Sequence, residues 1–332
     1  MAEAAVFAEG LARQFGTVRA VDGVDLAVSR GEIYGFLGPN GAGKSTCVRM
    51  LTTLLLPSSG YARVAGYDVK TQSQAVRLRV GAALQEAALD PKQTGREFLR
   101  LQARLYGLSW RETRERVAEL EQFVDIGQAM DRLVGTYSGG MKRRLDLAAA
   151  LVHNPEVLFL DEPTAGLDPI SRARVWEEVR RINQELGVTI FLTTQYLEEA
   201  DALADRVGIM NLGKLVAEGT PVELKRRLGT DVIIVQVGGD AEQAKSALHV
   251  NGNIENIEVH GGELTISASR GAAVLGDVAV ALRDGGVLVQ EITLRTPTLD
   301  DVFLNVTGGR LQQAGGEPAV PQQAIPQGEA AR

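Results

Sequence analysis

The chain has 332 residues, 45% of them hydrophobic, and 42 Asp and Glu against 35 Lys and Arg give a formal net charge of −7. This acidic balance argues against a general nucleic-acid surface. A single cysteine, Cys47, excludes an intramolecular disulfide or a Cys-rich metal site, and no stretch reaches the roughly 20 continuous apolar residues of a membrane span.

The size allows one large α/β core and a second, smaller unit. Residues 1–10 carry neither a basic n-region nor a long apolar h-region, so the chain is expected to be made and kept in the cytosol. Residues 1 to about 35 alternate short apolar runs with turns, around Ala5-Val6-Phe7 and Gly23-Val24-Asp25-Leu26-Ala27-Val28, and read as strands of a small antiparallel β layer. Glu32 to Leu37 then leads straight into Gly38-Pro39-Asn40-Gly41-Ala42-Gly43-Lys44-Ser45-Thr46. This is G-x-x-x-x-G-K-[ST] in its confirming context of strand, loop and helix. Its glycines let backbone N–H groups turn inward around phosphate oxygens, Lys44 adds a cation for the β and γ phosphates, and the Ser45 hydroxyl is placed to ligand Mg²⁺. The chain is therefore expected to bind a nucleoside triphosphate.

A helical pattern from Ser45 to Leu56 follows, with Cys47 as a small packed residue on its first turns. The turn Pro57-Ser58-Ser59-Gly60 and strands near Tyr61–Val64 and Val80–Leu84 come next. Arg96–Tyr106 and Trp110–Val124 have the three- and four-residue apolar spacing of amphipathic helices, and Ser138–Val152 repeats it. Val157–Leu160 reads as a buried parallel strand ending in Asp161-Glu162. Arg172–Leu186 is helical, Val188–Thr193 a strand and Tyr196–Ala204 a helix. After Leu228 the order is strand 232–237, helix 241–248, strands 254–259 and 263–268, helix 272–282 and strand 287–294, which fits a ferredoxin-like module. The expected division is an ATPase unit over 5–228 with a helical insertion over about 87–153, an α+β unit over 229–307, and a Gly/Gln/Pro-rich tail over 308–332 predicted to be disordered.

Side chains alternate along a strand, so Asp161 and Glu162 are expected to point to opposite sides and do different jobs. Asp161 would hold Mg²⁺ through its water shell, and Glu162 would polarise the water attacking the γ-phosphate. Upstream, in Tyr137-Ser138-Gly139-Gly140-Met141, Ser138 is a good N-cap and the two glycines leave bare N–H groups at the positive end of a helix dipole. One chain has no need of two anion sites for one γ-phosphate. The pair makes sense if the second closes over nucleotide held by a partner subunit.

From about residue 5 to 220 the sequence resembles the ATP-binding-cassette ATPases. The phosphate loop, Gln85 in Ala83-Leu84-Gln85-Glu86, Ser138-Gly139-Gly140, Asp161-Glu162 and Ala165-Gly166-Leu167-Asp168 occur in the family's order. The resemblance implies a RecA-like P-loop core that binds ATP. It further implies that Phe15 stacks on adenine, that Gln85 ligates Mg²⁺ and water beside the transporter-contact groove, and that Asp168 sits at the dimer interface. Two departures stand out. Tyr137 and Met141 replace the usual Leu and Gln of the signature, and Gln195 stands where the family has its switch histidine, while His153, His249 and His260 lie elsewhere. A carboxamide can donate a neutral hydrogen bond to the γ-phosphate but cannot carry the charge or shuttle the proton of an imidazole.

Thr194–Asp201, Tyr137–Arg144 and Leu294–Leu304 are together similar to the daunorubicin-resistance type of exporter ATPase. That likeness implies an ATP-hydrolysing subunit that dimerises, with itself or a close relative, around two ATP molecules. It would drive a separate membrane permease from the cytoplasmic face of the cell membrane, with lipophilic drugs, antibiotics or lipids as cargo. A non-transport relative acting on DNA or ribosomes would need a long coiled-coil insertion, zinc cysteines or tandem cassettes, none of which is visible. An ATP-gated drug-binding protein without a permease stays open at this stage.

Overall fold

The computed structural model describes residues 4–84, 89–123, 127–228, 231–239, 241–248, 254–268 and 270–307. Strands β1 (Ala4–Phe15) and β2 (Val18–Ser29) form a long antiparallel hairpin, and β3 (Ile33–Leu37) leads into helix α1 (Lys44–Leu51). With β4 (Ser59–Val64) and β5 (Tyr67–Asp68) the hairpin makes a four-stranded sheet in the order β2-β1-β4-β5. Helix α2 (Ser73–Arg77) and strand β6 (Val80–Ala83) precede a helical stretch of α3 (Gly95–Leu105), α4 (Trp110–Phe123) and α5 (Gly139–Ala150). Then come β7 (Val157–Asp161), α6 (Pro169–Leu186), β8 (Thr189–Thr194), α7 (Leu197–Leu203), β9 (Arg206–Asn211), β10 (Lys214–Gly219) and α8 (Pro221–Arg226). The central sheet runs β10-β9-β3-β8-β7-β6, parallel throughout except for β10.

Strands β3, β7 and β8 are buried at every residue, as parallel strands covered on both faces must be. Helix α1 is enclosed between the two sheets: Cys47, Val48, Met50 and Leu51 share one core with Val6, Phe36 and Phe159. This burial pushes the Cys47 thiol up to about 12 and leaves it inert. The helix stops at Leu51, short of the expected Leu56, because Thr53 takes a left-handed conformation with φ 64. Helix α6 starts earlier than expected, with Asp168 as its cap and a proline at its first position.

The C-terminal elements are β11 (Asp231–Val237), α9 (Ala241–Ala247), β12 (Ile254–His260), β13 (Glu263–Ala268), α10 (Gly271–Asp284) and β14 (Val289–Arg295). Their antiparallel order β12-β13-β11-β14 is the ferredoxin-like arrangement read from the sequence. Helix α11 (Leu299–Thr307) is not among the elements expected from the sequence; its Leu299, Val302 and Phe303 pack against Leu37, Leu197 and Leu224 of the first unit. The β9–β10 hairpin is likewise unexpected, and its turn residues Leu212 and Gly213 have φ 47 and 82. Both angles suit a two-residue hairpin turn, but a leucine in the first position lacks the Asn-Gly signal. Among the described residues no helix is long and apolar enough to cross a membrane. The tail expected over 308–332 lies outside the described residues.

Candidate active site

Parallel pairing sets Leu37 beside Thr194 and Asp161 beside Thr193, so Gly38, Gln195 and Glu162 leave the central sheet next to one another. That is the carboxyl edge of the strands, where open α/β sheets bind ligands. The Gly38 N–H donates to the Thr194 carbonyl at 3.2 Å, tying the start of the phosphate loop to the strand that ends before Gln195. Pro39, Asn40, Gly41 and Ala42 complete the turn, and Thr46 follows in the first turn of α1. Gly43 has φ 105, and a Cβ there would lie 2.2 Å from the Ala20 carbonyl oxygen, so no other residue fits.

Lys44 is 4% exposed and curls back over the loop. Its Nζ donates to the Gly38 carbonyl at 2.7 Å and the Pro39 carbonyl at 3.2 Å, and lies 3.3 Å from Glu162 Oε1. Burial lowers its pKa, and the charges of Glu162 and then Asp161 oppose that shift. The Ser45 hydroxyl donates to Asp161 Oδ1 at 3.2 Å, and Thr193 Oγ1 donates to the same oxygen.

The expected opposition of the two carboxylates gives way to a different geometry. Asp161 is the last residue of β7, but Glu162 has φ 49 and has already left the strand, so alternation does not govern it. Its N–H donates to the Thr193 hydroxyl at 3.1 Å, and its carboxylate turns toward Lys44. Both acids therefore serve the phosphate loop, Asp161 at Ser45 and Glu162 at Lys44.

Residues 21–165 match the family model described as ABC transporter, and residues 219–307 match the one described as ATP-binding protein DrrA1-3-like, C-terminal domain. The daunorubicin resistance ATP-binding protein DrrA3 of Streptomyces coeruleorubidus is 46% identical, across 93% of this chain and 97% of that protein. The daunorubicin/doxorubicin resistance ATP-binding protein DrrA of Streptomyces peucetius is 43% identical, across 97% of this chain and 98% of that protein. Among solved structures, cbiO1 of Clostridium perfringens, part of the ABC transporter complex cbiONQ, aligns with a TM-score of 0.63 at 28% identity, covering 67% of this chain and 90% of that one. The chain belongs to the ABC transporter ATP-binding subunits of the daunorubicin-resistance type.

In this ABC ATPase, α5 opens on Gly139 and Gly140 of the Ser138-Gly139-Gly140 segment. Ser138 caps it, its hydroxyl accepting from the Met141 N–H at 3.3 Å, and Ser138 and Gly139 are exposed. Tyr137, in the place of the usual leucine, is buried and donates to the Ala129 carbonyl at 2.5 Å. Asp168 caps α6 by accepting from the N–H groups of Ile170 and Ser171 at 3.1 and 3.0 Å. The hydrogen bonds from Ser171 hold the Asp168 carboxyl below its ordinary range. Phe15 ends β1 and is 45% exposed, with the Arg13 guanidinium 4.6 Å above its ring. Gln195 is half-buried immediately after β8. Gln85 lies outside the described residues.

Beside Glu32, two further buried charges carry little mark of burial in the sequence. Glu199 of α7 accepts from Thr164 Oγ1 at 2.9 Å and Trp176 Nε1 at 3.0 Å, fastening the helix that follows Gln195 to the segment that follows Glu162. Burial raises its pKa. Its place on the same face of α7 as Leu203, four residues on, was the available signal. Arg143 of α5 is the other, and only its position in the fold reveals it.

Proposed function

We propose that the chain hydrolyses ATP at a site completed by a second copy or a close relative, and so drives a separate integral membrane permease from the cytoplasmic face of the cell membrane. The cluster of Lys44, Ser45, Asp161 and Glu162 carries this reading, because a cation, a hydroxyl and two carboxylates within hydrogen-bonding reach are the parts a phosphoryl-transfer site needs. Lys44 neutralises the β and γ phosphates cradled by Gly38 to Thr46. The Ser45 hydroxyl and the Asp161 carboxylate are hard oxygen donors that fit Mg²⁺, with Gln85 a further ligand by resemblance. When bound, the ion offsets phosphate charge. Glu162 accepts the proton of the attacking water, Gln195 donates a neutral hydrogen bond to the γ-phosphate, and Phe15 offers its exposed ring to adenine.

A contrast between glycines supports the shared site. Gly43 is demanded by this chain's own backbone, whereas a Cβ on Gly139 or Gly140 would meet nothing nearer than Leu167 at 3.7 Å or Ser171 at 3.6 Å. Their smallness answers to something from outside the chain, and nucleotide held by a facing subunit is the matching ligand. The exposed Asp168, next to Ile170 at 70% exposure, belongs to the same facing surface. The ATPase unit spans 5–228 with its helical insertion over about 87–153, followed by the accessory unit over 229–307 and the tail over 308–332. Relatives named for daunorubicin, doxorubicin and linearmycin resistance support drug export, with a lipophilic drug, antibiotic or lipid as cargo.

Mixed dimers test the shared site. Lys44→Ala and Gly139→Asp homodimers each lack an intact site, while the heterodimer retains one built from two sound halves, so mixing the two inactive proteins restores hydrolysis. No activity at any mixing ratio, with heterodimers confirmed, refutes the reading.

A further inference from the structure

Strand β6 is one of the two edge strands of the central sheet, and α5 is fastened along it at two points. Toward the helix C-terminus the approach is so close that a Cβ on Gly81 would lie 2.2 Å from the Ala150 carbonyl oxygen. Toward its N-terminus, five residues after Ser138, Arg143 reaches across. Its Nη1 donates to the Leu84 carbonyl at 3.1 Å and its Nη2 to the Ala83 carbonyl at 3.3 Å. Those two carbonyls stand at the end of β6, immediately before Gln85. Nη1 also donates to Asp146 Oδ2 at 3.1 Å.

Arg143 is 9% exposed, and its Nε is buried without a partner. After Asp146, the carboxylates that act on its charge are Glu199 of α7 and Asp161 of β7. One guanidinium thus joins the signature helix to the end of β6, and its charge is felt by Glu199 and Asp161. Stability alone does not call for this arrangement. Removing an ion from water costs several kcal/mol, and buried ion pairs are often replaceable by apolar side chains without loss. What a planar fork supplies is fixed direction, here toward two successive carbonyls.

We propose that Arg143 is a positioning residue for hydrolysis: it locks the end of β6 to the signature helix, so that Ser138–Gly140 seating on nucleotide is held in register with the edge of the central sheet. The inference rests on the functional reading above. A matched control exists on α4. Arg116 donates from Nη2 to the Leu151 carbonyl at 2.6 Å and from Nε to the Val152 carbonyl at 3.2 Å, at the far end of α5 from the signature.

The test compares the full-length wild type with Arg143→Lys, Arg143→Met and Arg116→Met by melting temperature, ATP affinity, KM and kcat. Arg143→Lys keeps the charge but loses the fork, so ATP affinity and KM stay within about twofold while kcat falls at least about fivefold. Arg143→Met loses both and drops kcat by about tenfold or more. Arg116→Met melts earlier and keeps its kcat. Should Arg143→Met fail to fold, Arg143→Lys decides by itself. A folded Arg143→Lys protein with kcat within about twofold of an active wild type overturns the inference alone. A wild type that hydrolyses no ATP removes the functional reading and this inference with it.

Discussion

The phosphate-loop edge of the central sheet and the C-terminal four-stranded sheet solve the problem of burial in opposite ways. Among the described residues every buried polar or charged side chain, including Lys44, Arg143, Asp161 and Glu199, comes before residue 228. The core of the second sheet is wholly apolar, from Ile233 and Val235 to Leu264, Ile266 and Leu282. Burying charge costs several kcal/mol unless it is paired, so a fold keeps it where chemistry requires it. The topology explains where that is. Parallel strands β3, β8 and β7 end at one common edge, and that convergence brings a lysine, a serine and two carboxylates together. Antiparallel strands end alternately at opposite edges and collect no such cluster. The first region is built to hold anions, and the second to hold a closed apolar core of its own.

The largest effect that sharpens this contrast comes from the charged region. Glu162→Gln keeps the side-chain volume but removes the base, so kcat falls by about 10²–10⁴-fold while ATP affinity is retained. Steady-state hydrolysis together with equilibrium nucleotide binding checks this. Turnover within about threefold of wild type would take the general base away from Glu162.

The second effect comes from the apolar region. Leu264 is fully buried in the C-terminal core, and Leu264→Ala destabilises that unit by about 2–5 kcal/mol. Denaturant unfolding followed alongside nucleotide binding separates the regions, since ATP affinity stays unchanged while the C-terminal unit melts. A parallel loss of ATP affinity would make the two regions one cooperative unit and dissolve the comparison.

The smallest effect concerns acid. His153, stacked on Tyr106 with ring centres 3.7 Å apart, donates from Nε2 to the Val80 carbonyl at 3.1 Å. Burial, with a smaller contribution from Arg116, lowers its pKa from 6.5 to about 4. Between those values the unfolded chain binds a proton that the folded chain refuses, so the stability His153 lends is present above about pH 6.5 and lost as the pH falls through about 4. Asp146 slopes the other way: burial raises it from 3.8 to about 6, and its contribution is full below about pH 3.8 and lost as the pH rises through 6. His153→Phe keeps the stack and removes only the first slope. The variant is less stable than wild type at pH 7 by about 1 kcal/mol, roughly 2–4 °C in Tm, and the gap closes and then reverses as the pH falls toward 4.5. A gap independent of pH would show that His153 does not titrate between the two states.

Local chemistry was sufficient for much of the molecule. Gly38 to Thr46 spell a phosphate loop because backbone approach to phosphate needs glycine at set spacings, and the all-apolar run Val157–Leu160 can only be a strand covered on both sides. The β-α-β-β-α-β order after Leu228 likewise follows from periodicity and turns. Other features depend on contacts between residues far apart in the chain, where local pattern carries no signal. Glu162 turns toward Lys44 because its backbone goes left-handed beside Thr193, which strand alternation could not anticipate. Helix α11 has an amphipathic sequence, yet its partners Leu37 and Leu197 lie on β3 and α7. Arg143 reads as one more charge in a basic run, and only the folding of α5 onto β6 turns it inward. The sequence by itself determined the phosphate-loop pattern and the residue types offered beside it, because those depend on residue type and short spacing. The tertiary structure alone decided which charges are buried and what they face, because the cost of burying a charge is set by neighbours that only the folded chain brings near.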